Sequence, residues 1–308
     1  MGHDHSHAPA PGATVSAGYR RRLMLVLAIT VTVLVIQIIG ALISGSLALL
    51  ADAGHMATDS LGVVLALVAV TLAQRAASTR RTFGWQRVEV LAALGNSLLL
   101  LGIGIYIVVQ AIQRIGDPPE IRSGVMLAAA VLGLVANLAS LAILRAGQDK
   151  SLNMRGAYLE VLGDALGSFA VIVAAILIIT TGWTGADIVA SLVVGALVLP
   201  RAWSLLRDAL DVLLENAPRD VDMTQVRQHI LNTQDVLDVH DLHAWTITSG
   251  SKALSAHVVV EEAALADGHG GRVLDSLGEC LGEHFDMEHC TFQLESATHR
   301  AHEAPVHD

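Results

Sequence analysis

The chain is expected to fold as an all-α bundle of six membrane helices followed by a small α+β domain of ferredoxin-like, α-β-β-α-β order. Three observations lead there. The 308 residues are 53% hydrophobic and only 16% charged, with a mean hydropathy of +0.56, which is too apolar for an ordinary soluble protein. Six apolar segments precede residue 207, each near the ~20 residues that cross about 30 Å of hydrocarbon. Beyond residue 207 the apolar runs shorten, most of the acidic groups gather, and helix and strand patterns alternate.

Residues 1–18 are rich in Gly, Ala, Pro and His and are expected to be a disordered tail. His3, His5 and His7 alternate with other residues, which suits either a solvated tail or a weak metal-collecting arm. No small-residue cleavage pattern follows the first apolar run, so that run is read as a retained membrane helix. The transmembrane domain is placed at 19–207, with spans at Leu23–Ile43, Leu47–Leu72, Val88–Gln110, Val125–Leu144, Ala157–Ile179 and Ile188–Leu206. Pro200 is expected to end or kink the sixth, because proline removes a helical donor.

Arg20, Arg21 and Arg22 precede the first span. Arg75, Arg80, Arg81 and Arg87 follow the second, Arg145, Lys150 and Arg155 join the fourth and fifth, and Arg201 and Arg207 mark the end of the sixth. The opposite connections hold only Arg114 and Arg122. Cationic loops stay inside, so both termini are expected in the cytoplasm.

The second domain is placed at 208–296. LLENAPRDVD is a linker broken by Pro218, and Asp222 caps a helix through MTQVRQHILN. VLDVHDLHAWTIT and ALSAHVVVE read as two strands joined by a turn at Ser249–Lys252. GGRVLDSLGECLGEHF has helical spacing, and HCTFQLE is a third strand. Residues 297–308, with His299, His302 and His307, are expected to be a loose tail. Cys280 and Cys290 form no CxxC, so neither a disulfide framework nor a zinc knuckle follows from them. The net charge of −10 counts against nucleic acid as a partner.

The chemistry concentrates in the second and fifth spans. In LLADAGHMATDSLG, His55 and Asp59 lie one helical turn apart and share a face. YLEVLGDALGS repeats the spacing with Glu160 and Asp164. Ionisable residues inside a membrane are costly, and imidazole with carboxylate suits a borderline divalent cation such as zinc. The doubled pattern points to one four-ligand site. Asp52, a turn before His55, reads either as a carboxylate at the mouth of that site or as a helix-end residue among headgroups. Gln37, Asn96 and Asn137 read as interhelical hydrogen-bonding groups.

HMATD, TFGWQRVEVLAAL and NMRGAYLEVLGDALGS, together with HDLHAW and TFQLE in the second domain, resemble the cation diffusion facilitator family, most of all its zinc-transporting branch. The resemblance covers roughly residues 20–296. It implies a six-span homodimeric exporter in a bacterial cell membrane, exchanging cytosolic metal for protons by alternating access. It also implies a transport site on His55, Asp59, Glu160 and Asp164. Glu160 departs from the pattern, since zinc members usually carry His there. One nitrogen and three carboxylates shift preference away from soft ions, with −3 against +2 on the metal. Zn2+ remains the first expectation, with Co2+ or Cd2+ next.

His55 is the expected proton carrier, because imidazole titrates near pH ~6.5. By resemblance, His240, His257 and Glu295 occupy positions where relatives bind regulatory metal; the plainer reading is surface or strand-pairing polar residues. His243, His269 and Cys290 are weaker candidates. The stretch 77–87 supplies no His, Asp or Glu, so no loop metal site is expected, and Arg80 and Arg81 suit anionic lipid or a dimer salt bridge. No HExxH motif supports a membrane metalloenzyme. A membrane metal sensor signalling through the second domain is the alternative, though nothing resembles a kinase, cyclase or DNA-binding module.

Overall fold

The computed structural model describes residues 17–73, 75–117, 119–145, 152–266, 269–287 and 289–302. The tail histidines His3, His5, His7 and His307, and Lys150, lie outside them. Six long helices come first: α1 (Ala17–Ser44), α2 (Leu47–Ala73), α3 (Val88–Gln113), α4 (Ser123–Arg145), α5 (Leu152–Thr181) and α6 (Gly185–Leu213). Among the described residues, five of these, α1 and α3 to α6, contain stretches long and apolar enough to cross a membrane by length and composition. The 27-residue α2 is the sixth, and it carries His55 and Asp59. Of the two expectations for Pro200, an end or a kink, the end does not hold, since α6 continues to Leu213. Proline removes one backbone donor but leaves the rest of the ladder available, and the leucines and alanines flanking it favour the helix.

The chain forms two compact units, Met1–Val64 with Asn96–Trp203, and Leu65–Gly95 with Ser204–Asp308. In the first, α4 packs on α1 and α5 through a stripe of mostly small residues: Ala129, Ala130, Gly133, Asn137 and Ser140. Lipid gives helices little hydrophobic reason to associate, so close backbone approach and polar contacts hold them. Gly133 and Gly167 make that approach possible. A Cβ on Gly133 would stand 2.5 Å from Gln37 Nε2, and one on Gly167 would stand 2.5 Å from Asp52 Oδ1.

The N-terminus of α2 is fixed by Asp187, the acid in the first turn of α6. Its carboxylate is fully buried and accepts from Ser46 Oγ at 2.5 Å and from the amides of Leu47 and Ala48 at 2.8 and 3.1 Å. An anion here satisfies donors that the helix itself leaves open. Arg114 donates to the Gly45 carbonyl at 3.0 Å and lies 3.9 Å from Asp187. The segment that carries His55 therefore has an anchored start.

In the second unit come α7 (Met223–Leu231), β1 (Val236–Thr248), β2 (Ser251–Val260), the short α8 (Glu262–Leu265), α9 (His269–Phe285), β3 (His289–Glu295) and α10 (Ala297–Arg300). Asp222 caps α7 by accepting from the Thr224 and Gln225 amides. The sheet order is β1-β2-β3, with β1 and β2 antiparallel and β2 and β3 parallel. A parallel return requires a crossover, and α9 supplies it. Val226 and Ile230 of α7, and Val273, Leu277 and Leu281 of α9, cover the sheet and close the core. The hairpin turns on Gly250, whose φ of 76° favours glycine. The first residues of the expected loose tail form α10, capped by Ser296.

Within the same unit, Arg87 pairs with Glu215 at 2.7 Å, and Glu89 accepts from the Thr248 and Ser249 hydroxyls at 2.7 and 2.8 Å. Arg81 stacks on Trp85 with its guanidinium carbon 3.6 Å from the ring centre.

Candidate metal centre

The helical spacing on α2 places His55 Nε2 3.4 Å from Asp59 Oδ2. Helix α5 brings Asp164 Oδ1 to 3.6 Å from the same imidazole nitrogen. A tetrahedral ion with bonds of about 2.0–2.2 Å sets its ligand atoms about 3.3–3.6 Å apart, so these separations fit a shared cation. Asp59 Oδ2 and Asp164 Oδ1 are also buried oxygens without a hydrogen bond. Buried oxygens are normally paired, and these two, converging on one imidazole, offer ligand atoms to a cation. Three of the four residues expected from the doubled spacing are thus brought together.

Glu160 is not in that mutually close set, although its carboxyl contacts that of Asp59. Its Oε1 accepts from Arg201 Nη2 at 3.1 Å, and Arg201 Nη1 lies 3.5 Å from Asp59 Oδ2. By sequence alone Arg201, one residue past Pro200, is a charge at the end of the sixth span. It instead lies inside α6 with its guanidinium across Asp59 and Glu160. A lone cation within a long apolar segment is the sequence signal that singles it out. Its partners come from helices more than forty residues away, which no local spacing reveals.

Asp52 fits neither of its two readings. It is 1% exposed and accepts from Gln37 Nε2 at 2.8 Å and Ser168 Oγ at 3.0 Å. It therefore ties α1, α2 and α5 together one turn from the trio, rather than facing a mouth or the headgroups. Gln37 is the interhelical hydrogen-bonding group expected. Asn137 is buried with its Nδ2 unpartnered, and Asn96 lies against Gly62, where a Cβ would be 2.9 Å from its Nδ2.

The second set forms on the sheet. His240 and His257 are cross-strand partners on β1 and β2. His240 Nε2 makes a short contact with Glu295 Oε1, and His257 Nδ1 lies 3.6 Å from Glu295 Oε2. His240 and Glu295 are buried, while His257 is partly open. A bulge between His240 and His243, with Asp241 at φ 49°, breaks the strand alternation and lets Val239 and His240 both turn inward. His243 is exposed and turns to Asp241 at 2.9 Å. His299 of α10 reaches within 4.0 Å of Glu295. His269 begins α9, and Cys290 lies against the sheet core with its thiol toward the Met287 carbonyl.

Residues 23–214 match the family described as cation efflux transmembrane domain, and residues 218–297 match the cation efflux protein cytoplasmic domain. The metal cation efflux system protein CzcD of Cupriavidus metallidurans is 45% identical over 271 residues, covering 88% of this chain and 85% of its own. A cadmium, cobalt and zinc/H(+)-K(+) antiporter of Bacillus subtilis is 42% identical over 266 residues, covering 86% of this chain and 85% of its own. The zinc transporter ZitB of Escherichia coli is 43% identical over 263 residues, covering 84% of this chain and 82% of its own.

Proposed function

Because the chain belongs to the cation efflux family, we propose that it exports a divalent metal cation across a cell membrane in exchange for protons, zinc foremost and cobalt or cadmium after it. Residues 19–207 are the translocating part and 208–296 the cytoplasmic domain, with both termini in the cytoplasm and two copies forming a homodimer. The observation that carries the reading is the convergence of His55 Nε2, Asp59 Oδ2 and Asp164 Oδ1 from two helices.

Charge indicates how such a site works. Asp59, Glu160 and Asp164 contribute −3 and Arg201 +1, leaving −2 to balance one divalent cation. The extra carboxylate at 160 is thereby compensated inside the bundle. Arg201 holds Glu160 and Asp59 until the metal arrives, and Glu160 becomes the fourth ligand by leaving the guanidinium. Ligation requires deprotonated groups, so protons entering from the outer side compete for the same atoms and release the cation. His55 carries a proton on the return in this reading, as the one imidazole among the ligands.

His240, His257 and Glu295 form a regulatory site in this reading. Two nitrogens and one carboxylate suit retention of zinc rather than its passage. The test is a metal panel in proteoliposomes with an acidic lumen. Uptake of zinc, cobalt or cadmium should require the pH gradient and collapse with a protonophore. Equal uptake with and without the gradient would sink proton exchange.

A further inference from the structure

A third group of ligand atoms lies on the helical side of the cytoplasmic domain, away from the sheet histidines. His229 is in the last turn of α7, and Cys280 and His284 are one turn apart on α9. His229 Nδ1 is 3.3 Å from Cys280 Sγ, Cys280 Sγ is 4.0 Å from His284 Nδ1, and the two imidazole centres are 4.8 Å apart; His284 Nδ1 donates to the Cys280 carbonyl at 2.9 Å, a contact it gives up to bind an ion through that nitrogen. Zinc bound by sulfur at about 2.3 Å and nitrogen at about 2.0 Å holds S and N about 3.5 Å apart, between the two observed values. The ligand atoms of all three residues fall within 4.8 Å of one another. His284 is exposed and the other two are partly open, so an ion from the surrounding water can reach them.

We propose that His229, Cys280 and His284 form a further metal site, one that takes thiophilic divalent cations such as zinc and cadmium. Its donor set differs in kind from the other two, because it alone offers sulfur. Two imidazoles and a thiolate favour soft and borderline ions over manganese or magnesium, with water or a nearby carboxylate completing the shell. Burial, and then the charge of Glu283, raise the Cys280 thiol above its ordinary range.

The donor chemistry supplies its own readout. The full-length protein in detergent, titrated with Co2+, should develop a near-ultraviolet thiolate-to-cobalt charge-transfer band saturating at one ion per protomer, and Cd2+ should bleach it. Cys280→Ser should abolish the band, while Cys290→Ser and Glu295→Gln should leave it intact. His229→Gln keeps the thiol and should weaken cobalt binding at this band at least about tenfold. That variant serves if Cys280→Ser does not fold. Absence of the band in the wild type, its survival in Cys280→Ser, or unchanged affinity in His229→Gln would overturn the proposal.

Discussion

The intramembrane cluster and the histidine–glutamate set on the sheet use the same ligand types but are built by opposite means. On α2, one helical turn delivers His55 and Asp59 to one point, and α5 adds Asp164 from a second helix. On the sheet, the partners are brought together by strand register, and a bulge turns His240 inward. The membrane cluster is rich in carboxylate, and a guanidinium lies across two of its acids. The sheet set has two imidazoles to one acid. Oxygen-rich ligation with a competing internal cation favours release, and nitrogen-rich ligation favours retention. In the function we propose, one arrangement serves passage and the other regulation.

The strongest way to break that contrast is to remove a ligand from each. Asp59→Ala or Asp164→Ala should cut zinc uptake in proteoliposomes by more than about 100-fold, because even outer partners of metal ligands cost about 10–100-fold. His240→Ala should leave most of the uptake. Equal losses in both would mean that the two sites do not divide the work.

A double-mutant cycle sharpens the part played by Arg201. Glu160→Gln and Arg201→Gln alone each unbalance the cluster's charge, and together they restore −2. We expect Glu160→Gln, which removes a ligand, to weaken zinc binding about tenfold, Arg201→Gln, which removes the competing cation, to tighten it, and the double variant to depart from the sum of the two by an amount within the usual range for contacting charges. Strictly additive effects would remove Arg201 from the charge balance. Glu160→His combined with Arg201→Leu should raise zinc preference over cobalt by exchanging an oxygen for a nitrogen.

Retention on the sheet should appear as stabilisation. Zinc at about 100 times its Kd should add about 2.7 kcal/mol to the stability of the second domain, raising its Tm by roughly ten degrees or more. With the helical site silenced by Cys280→Ser, Glu295→Gln should remove that shift while Asp164→Asn keeps it. A zinc-dependent Tm rise that survives in Glu295→Gln would place the stabilising ion elsewhere.

The smallest effect is a pH dependence. Lys252 donates to Asp220 at 2.6 Å and holds that carboxylate below its ordinary range. A lowered folded pKa means the contribution is complete above the ordinary carboxylate range and is lost as pH falls through the lowered value. Asp220 is largely exposed, so the loss should stay within about 1 kcal/mol. Acid unfolding of wild type and Lys252→Met should converge at low pH; a constant gap would assign the lysine's effect to packing instead.

Six apolar segments and two polar pairs a turn apart are legible without any fold, because helical periodicity belongs to the backbone itself. Lipid strengthens that reading by forcing each span to satisfy its own amides. The strands of the second domain are legible for a similar reason, through alternation and the glycine at the turn.

Packing decided the rest. Arg201 lies across Asp59 and Glu160 from a third helix, Asp187 caps a helix 140 residues away in sequence, and Asp52 gathers Gln37 and Ser168 from two others. Cys280 carries no motif until α7 brings His229 beside it. Contacts of this kind depend on how finished helices and strands meet, and residues remote along the chain leave no periodic trace of their meeting.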